Sequence, residues 1–425
     1  MKPKLAKGMR DSPPEVQIVK NRLINTLRRI FELYGFSPFD TPAIETYELL
    51  AAKYAGGSEI LKEIFTLRDR GNRQLALRYD LTVPLARFIA LNPQLKLPFK
   101  RYQISKVWRD GPVGPGRYKE FWQCDVDIVG SGSFLADAEI LMLANDVFRE
   151  LGLSVEIYLN NIKLLRGILK AFKIESIDAA MIVLDKRNKL SKKELQKEFQ
   201  EINVEKNLAL KLLSFFDNIS SNPLSSIKSL SQNKELIAGL NELKIIFDYL
   251  KQTNVAFKFE PNLARGLSYY TATIFEVFLK QSEKKLSLAG GGRYDRIIGL
   301  YSGSEQDVPA VGISFGLDRI ADVLGKSNKR SPTQLLIVGI GNAASAFQLA
   351  SKIRANGICC ETSLFEKGVS KALSYADSLG IPFVAFYGEK EKQAGKIKLR
   401  NMKTGEESLV KLNELVKILI SQHED

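Results

Sequence analysis

From residue 64 to residue 130 the chain reads as one extended segment after another: Ile64 to Arg68, Gln74 to Tyr79, Phe99 to Trp108 and Phe121 to Val129, with a single helix of about Pro84 to Ala90 among them. So little helix between strands favours an antiparallel sheet over a Rossmann alternation. Upstream, Ser12-Pro13-Pro14-Glu15 reads as a capping box with proline at the first helical position. Val16, Val19, Leu23, Leu27, Ile30, Phe31 and Tyr34 then recur at helical spacing as far as Gly35, which predicts a long amphipathic helix over 13–34. Phe36 to Ile44 is expected to be extended, and Pro38 and Pro42 confine it to an edge or end of a sheet.

Further along, a helix is predicted from Asp137 to Leu151. Residues 160–250 are rich in Lys and Leu at helical spacing, the pattern of a helical insertion. Strands are expected again at Phe257 to Glu260, Thr271 to Leu279 and Lys285 to Ala289, the last followed by a glycine turn. Leu324 to Thr333 has the composition of a linker. Beyond it, strands at 335–340, 358–362 and 382–387 alternate with helices at 343–356 and 368–379, a small α/β domain.

Composition removes several kinds of chemistry. His423 is the one histidine of 425 residues, which excludes Ser-His-Asp triads and His-ligated metal sites. Cys124, Cys359 and Cys360 are too few for a disulfide framework or a Cys-based zinc site. No apolar run approaches the ~18 residues of a membrane span. Met1-Lys2-Pro3-Lys4 leads into no hydrophobic segment, so a cytoplasmic protein is expected. The excess of 62 basic over 48 acidic residues suits a polyanionic partner, although a solvated basic surface accounts for it equally well. The charge is concentrated between Lys96 and Lys119, which hold seven Lys/Arg, the single acid Asp110, and Tyr102, Trp108 and Tyr118.

Within that region Asp80 and Thr82 share a face at a strand end and could hold an ammonium group; as helix caps they would be equally at home. Arg109 and Arg117 flank the loop Gly111-Pro112-Val113-Gly114-Pro115-Gly116, and Phe121 opens the returning strand. Two guanidinium groups beside a ring suit a nucleoside triphosphate. Gln123, Asp125 and Asp127 point one way at period two, a costly polar row unless it lines a site. Arg265-Gly266-Leu267-Ser268-Tyr269-Tyr270 and Ala289-Gly290-Gly291-Gly292-Arg293-Tyr294-Asp295 form two further islands, each weak alone. Val311 to Ile320 reads as strand, glycine and a helix carrying Arg319, or simply as strand–helix packing. In the C-terminal domain Gly339-Ile340-Gly341-Asn342-Ala343-Ala344, with Glu361 about 20 residues on, fits a dinucleotide fingerprint. An ordinary tight strand-to-helix turn is the better account, since ~95 residues leave little room for the second half of such a fold.

Taken in order, these islands resemble the three motifs of class II aminoacyl-tRNA synthetases. The helix with Gly35, Phe36 and Pro42 is similar to motif 1, the Arg109-loop-Phe121 hairpin to motif 2, and Gly316 to Ile320 with Arg319 to motif 3. Asp80-Leu81-Thr82, Arg265 to Tyr270 and Gly291 to Asp295 resemble the signatures of the histidyl-tRNA synthetase family. Class I enzymes use a His-rich signature that this chain cannot supply. Ser268 departs from the family's usual aspartate, and the 111–116 loop lacks the charges many bacterial members carry.

The resemblance implies an α+β catalytic domain with an antiparallel sheet over 1–325, carrying the insertion of about 160–250, and an anticodon-binding α/β domain over 331–425. It also implies a homodimer that uses ATP with Mg²⁺, L-histidine and tRNA(His), with no membrane. Arg109 and Arg265 are implied as catalytic. ATP would meet Arg109, Arg117, Phe121 and Arg319. Histidine would meet Asp80, Leu81, Thr82, Arg109, Gln123, Asp127, Arg265, Tyr269, Tyr270 and Tyr294. Of these, Asp80, Thr82 and Gln123 take the ammonium, and Asp127 and Tyr270 the imidazole nitrogens. The alternatives are a synthetase-like regulator without activity, a synthetase for another amino acid, and a dinucleotide enzyme using Gly339 and Gly341.

Overall fold

The computed structural model describes residues 2–54, 61–114, 116–187, 190–219, 223–230, 233–265, 269–280, 285–303, 306–365 and 368–421. Pro115, Gly266, Leu267, Ser268 and His423, singled out above, lie outside the described residues. The chain forms two compact units, one of residues 1–10 and 23–323, the other of 11–22 and 324–425. The linker composition at 324–333 thus falls at a boundary, whereas no local pattern marks residues 11–22 as part of the second unit.

The first helix, Pro14–Leu33, starts where the Pro13 carbonyl oxygen accepts from the N–H groups of Val16 and Gln17. Ser12, read as part of a capping box, instead accepts a hydrogen bond from Lys20 Nζ at 3.1 Å. Leu23, Leu27, Ile30 and Phe31 bury one stripe, and Gly35, at φ +76°, ends the helix.

Eleven strands are described in the first unit: β1 (Ser37–Pro38), β2 (Ile44–Thr46), β3 (Thr66–Arg68), β4 (Gln74–Leu77), β5 (Phe99–Trp108), β6 (Glu120–Val129), β7 (Val155–Asn161), β8 (Phe257–Phe259), β9 (Thr273–Leu279), β10 (Ser287–Arg293) and β11 (Ala310–Gly316). Eight of them form a sheet in the order β1-β5-β6-β11-β10-β9-β7-β8. Every pair is antiparallel except β1–β5 and β7–β8 at the two edges. The early segments 64–68 and 74–79 do not join it; β2, β4 and β3 make a separate three-stranded sheet.

The glycine island is not a turn. Gly290, Gly291 and Gly292 lie buried inside β10. A Cβ at Gly291 would collide with the Gly312 carbonyl on β11, and one at Gly292 with the Thr273 carbonyl on β9. Glycine serves here for close approach rather than for reversal.

Among the described residues the 160–250 region carries a succession of helices between Ile162 and Leu250, as its spacing suggests, but it follows β7, which the sequence pattern does not show. Its first helix, Ile162–Ala171, and its last, Lys234–Leu250, cross where Gly167 faces Leu236 and Gly239 faces Leu164. Leu164, Ile168, Leu243 and Ile246 share one hydrophobic core with Phe275 and Val277 of the sheet.

The second unit holds a five-stranded sheet, order β13-β12-β14-β15-β16, with β12 (Leu335–Ile340), β13 (Cys360–Thr362), β14 (Phe383–Gly388), β15 (Ile397–Asn401) and β16 (Glu407–Val410). The sequence reading missed the antiparallel pair β15–β16 and the closing helix Leu412–Ser421. Among the described residues no helix is long and apolar enough to cross a membrane.

Candidate active site

Antiparallel pairing sets residues of distant sequence side by side across the central sheet. One row runs Arg101, Asp127, Gly312, Gly292 across β5, β6, β11 and β10; the next runs Gln103, Asp125, Ser314, Gly290 and then Glu276 on β9. A cavity of about 650 Å³ lies over these rows. Of the residues predicted from sequence, Asp80, Thr82, Arg109, Arg117, Phe121, Gln123, Asp127, Arg265, Tyr269, Tyr270, Tyr294 and Arg319 all line it. Leu81 does not. Its side chain is fully buried, and its carbonyl oxygen accepts from Arg101 Nη2 at 3.3 Å. The position follows from the chain: Leu81 precedes the helix Thr82–Leu91, so its neighbours on either side face the cavity and it faces inward.

One side of the cavity is cationic. Arg109, Arg117 and Arg319 have no carboxylate within ion-pair distance among the described residues. Arg109 Nε donates to the Tyr79 carbonyl oxygen at 3.2 Å, and its guanidinium lies 4.4 Å from the Tyr79 ring centre and 5.1 Å from that of Phe121. Arg319 Nη1 donates to the Ser287 carbonyl oxygen at 3.1 Å. Burial, with the neighbouring charges of Arg117 and Arg109, holds Arg319 below the usual guanidinium range. Glu276 opposes that shift, but cations that repel one another with no acid paired to them favour an anion between them.

The floor is acidic. Gln123 Nε2 donates to both oxygens of Asp125 at 3.0 Å, while Gln123 Oε1 is buried without a hydrogen-bond partner among the described residues. Asp127 forms an ion pair with Arg101 at 2.7 Å and accepts the hydroxyl of Tyr294. Burial raises the Asp125 carboxyl; Arg101 opposes the shift and Asp127 adds to it. Burial likewise raises the Tyr294 hydroxyl, with Asp127 adding to the effect. Tyr269 and Tyr270 pack with ring centres 4.6 Å apart, and Tyr269 meets Tyr294 edge-on at 6.1 Å. Asp80 Oδ1 accepts from the N–H groups of Thr82 and Val83, so it caps a helix as well as lining the cavity.

Between the two sides Arg265 lies over the sheet at Gly290, where any Cβ would strike its guanidinium. It is 3.9 Å from Glu276 and donates to the Phe275 carbonyl oxygen at 3.4 Å. Burial works against its charge, but Tyr270, Glu276, Tyr269 and Asp185 outweigh it and hold the group above its usual range.

Several contributors were not legible as site residues. Asp185, at the end of an insertion helix, lines the cavity. Arg10 donates to Asp318 at 2.7 Å and to the Tyr118 hydroxyl at 2.8 Å, and Lys119 N–H donates to the Gly8 carbonyl oxygen, so the N-terminal segment is tied to the 109–120 hairpin. Arg101 carried no pattern beyond the general basic cluster. Conversely, Arg293 of the glycine island lies outside the cavity and pairs with Asp137, both almost fully buried. No group of three His, Cys, Asp or Glu side chains is arranged to hold a metal ion among the described residues. In the second unit Gly341, at φ +70°, leads into Asn342, which caps the next helix by accepting from Ser345 N–H. A Cβ at Gly339 would press on Asn342 and Ala346, the geometry of a tight strand-to-helix turn.

Comparison with known proteins gives the family of the chain. The family model described as histidyl-tRNA synthetase matches residues 8–320, and that of an anticodon binding domain matches 334–422. Histidine–tRNA ligase 1 of Bacillus cereus is 41% identical over 97% of this chain and 98% of its own length. The crystal structure of histidyl-tRNA synthetase from Nostoc sp. PCC 7120 superposes with a TM-score of 0.86 at 27% identity, covering 99% of this chain and all of that one. A structure from Bacillus halodurans, named as an ATP phosphoribosyltransferase regulatory subunit/histidyl-tRNA synthetase, has a TM-score of 0.76 at 21% identity over 91% of this chain and all of its own, and so shares the fold. With a family model spanning the whole catalytic unit and a relative alike from end to end, the chain belongs to the histidyl-tRNA synthetase family.

Proposed function

We propose that the cavity activates L-histidine with ATP and passes the histidyl group to the 3′ end of tRNA(His). The observation that carries this reading is the split of one cavity into three uncompensated arginines and a buried carboxylate floor. A triphosphate suits the first, and an amino acid with an ammonium and an imidazole suits the second. A histidine carboxylate oxygen attacks the α-phosphorus, the bond to pyrophosphate breaks, and histidyl-adenylate forms. A terminal ribose hydroxyl of the tRNA then attacks the acyl carbon and AMP leaves. Neither step needs a protein nucleophile; positioning and charge stabilisation supply the catalysis.

In this reading Arg109 holds the α-phosphate, Arg117 and Arg319 the outer phosphates or the adenine face, and Phe121 stacks on adenine. Arg265, between the two sides, reaches the histidine carboxylate and the α-phosphate. Asp80, Thr82 and the free acceptor Oε1 of Gln123 take the ammonium. Asp127 and Tyr270 take the imidazole nitrogens, with Tyr269 and Tyr294 closing the pocket. Mg²⁺, brought with the triphosphate, would supply charge neutralisation at its oxygens. Residues 331–425 serve as the anticodon-binding domain, and the enzyme works as a cytoplasmic homodimer. ATP–pyrophosphate exchange with each of the twenty amino acids tests the proposal. Exchange with histidine alone is expected; exchange driven by another amino acid, or by none, overturns it.

A further inference from the structure

Beneath the cavity floor lies a cation for which the proposed chemistry has no use. Arg101, on β5, stands directly across from Asp127 on β6, and none of it reaches the surface. Its Nη2 is 2.7 Å from Asp127 Oδ2, yet Nε and Nη1 have no hydrogen-bond partner among the described residues. A dry guanidinium with two orphaned nitrogens is costly, and an apolar side chain of similar size would fill the place without that cost. Its presence calls for an account beyond packing.

Two carboxyls meet this one cation. Asp125 and Asp127 point the same way from β6, both buried. Around them Tyr294, following β10, gives its hydroxyl to Asp127, while Gln123 on β6 and Ser314 on β11 bond to Asp125. Gly312 on β11 leaves room for the Asp127 carboxyl, which any Cβ there would strike. The buried Cys124 thiol, its own titration pushed up by burial and then by Asp125, immediately precedes Asp125 on β6 and faces the other way. Among the described residues Arg101 is the cation set against these two acids, and Arg28 acts on the Cys124 thiol. Two buried acids that share a single cation cannot both stay ionised cheaply.

We propose that Arg101 is a positioning residue for amino-acid recognition: it reserves its charge for Asp127, fixes that carboxylate as an anionic acceptor facing the cavity, and leaves Asp125 as the carboxyl that holds the proton. This rests on the reading of the cavity as a histidine site. An anionic Asp127 accepts from an imidazole N–H, whereas a protonated one would present a hydroxyl in its place. Arg101 acts through Asp127 and touches no substrate.

The test uses the full chain carrying Arg101→Met in histidine-dependent ATP–pyrophosphate exchange across pH, with KM for histidine and for ATP measured separately and thermal melting alongside. The expected result is a raised KM for histidine with KM for ATP close to that of the unsubstituted enzyme. The acid limb of kcat/KM for histidine is expected to move up by about 1–3 pH units, the scale on which a neighbouring guanidinium shifts a carboxyl. Free histidine titrates identically in both assays, so the ratio of the two profiles removes it. With Arg101 gone the two carboxyls compete for one negative charge; adding Asp125→Asn leaves that charge to Asp127 and is expected to return the limb part of the way. A merely structural Arg101 would gain nothing from that second change. Arg101→Lys keeps the charge without the fork; it is expected to hold the limb in place with a moderately raised KM, and it carries the comparison where the methionine chain does not fold. A folded variant with an unmoved limb and an ordinary histidine KM overturns the proposal. So does an equal loss of histidine and ATP parameters that Asp125→Asn leaves unrelieved. An unsubstituted enzyme that does not exchange with histidine at all would instead sink the underlying reading.

Discussion

Asp127 concentrates the discrimination expected of the cavity. A site built to pair a polar substrate group can reject analogues that lack it by roughly 10⁴–10⁵. Asp127→Asn is therefore expected to cost on that order in kcat/KM for histidine in pyrophosphate exchange; a loss below about tenfold would place imidazole recognition elsewhere. Because Arg101 is fully buried against Asp127, the same change strands a charge and should also lower stability by about 3–5 kcal/mol, read as a drop in melting temperature. Asp125 makes a different prediction. Its folded-state carboxyl is raised by burial above the unfolded value, so its cost to folding is absent below the unfolded carboxylate range of about pH 3.9 and grows as pH rises until the folded carboxyl has itself titrated. Asp125→Asn should then stabilise the protein more at about pH 8 than at about pH 5, and an equal or reversed difference would contradict the assignment. The two aspartates were legible in sequence because strand periodicity alone puts them on one face. Arg101 was not, since its meaning comes from a cross-strand register with Asp127 that no local pattern encodes.

At the scale of the element, β10 shows why the glycines are where they are. Gly291→Ala would drive a methyl group into backbone on β11, whereas Gly290→Ala would meet the movable end of Arg265. The first is expected to destabilise by about 1–3 kcal/mol or more, with a lowered melting temperature. The second should leave the melt nearly in place and slow adenylate formation, since a displaced charge-stabilising donor costs on the order of 10²–10³ in rate. If both variants melt alike, the backbone collision is not what limits Gly291. A glycine run in sequence carries two meanings, chain reversal and close approach, and only the neighbouring strands decide between them. The long amphipathic helix and the β5–β6 hairpin were plain because their periodicity is local. The short strands β15 and β16, and β7 running straight into a helix, offer too few residues for a period to show.

For the whole molecule, residues 11–22 group with 324–425, and Ser327 N–H donates to the Glu15 carbonyl oxygen. Deleting 331–425 should do two things at once. It should abolish most tRNA charging, and it should leave adenylate formation measurable. Undiminished charging by the shortened chain would refute the anticodon-binding role. The proposed homodimer predicts that sedimentation gives twice the 47.6 kDa chain mass. An active species of single chain mass would dismiss the dimer. The row Arg101, Asp127, Gly312, Gly292 joins four strands drawn from two stretches far apart in the chain. Heredity therefore meets this floor as a locked combination. An apolar residue at 127 alone strands Arg101, and one at 101 alone sets two acids against each other. Every one-codon route toward another amino acid begins with a loss. A library selected for charging with a different amino acid should accordingly yield paired changes at 101 and 127 before it yields either one singly.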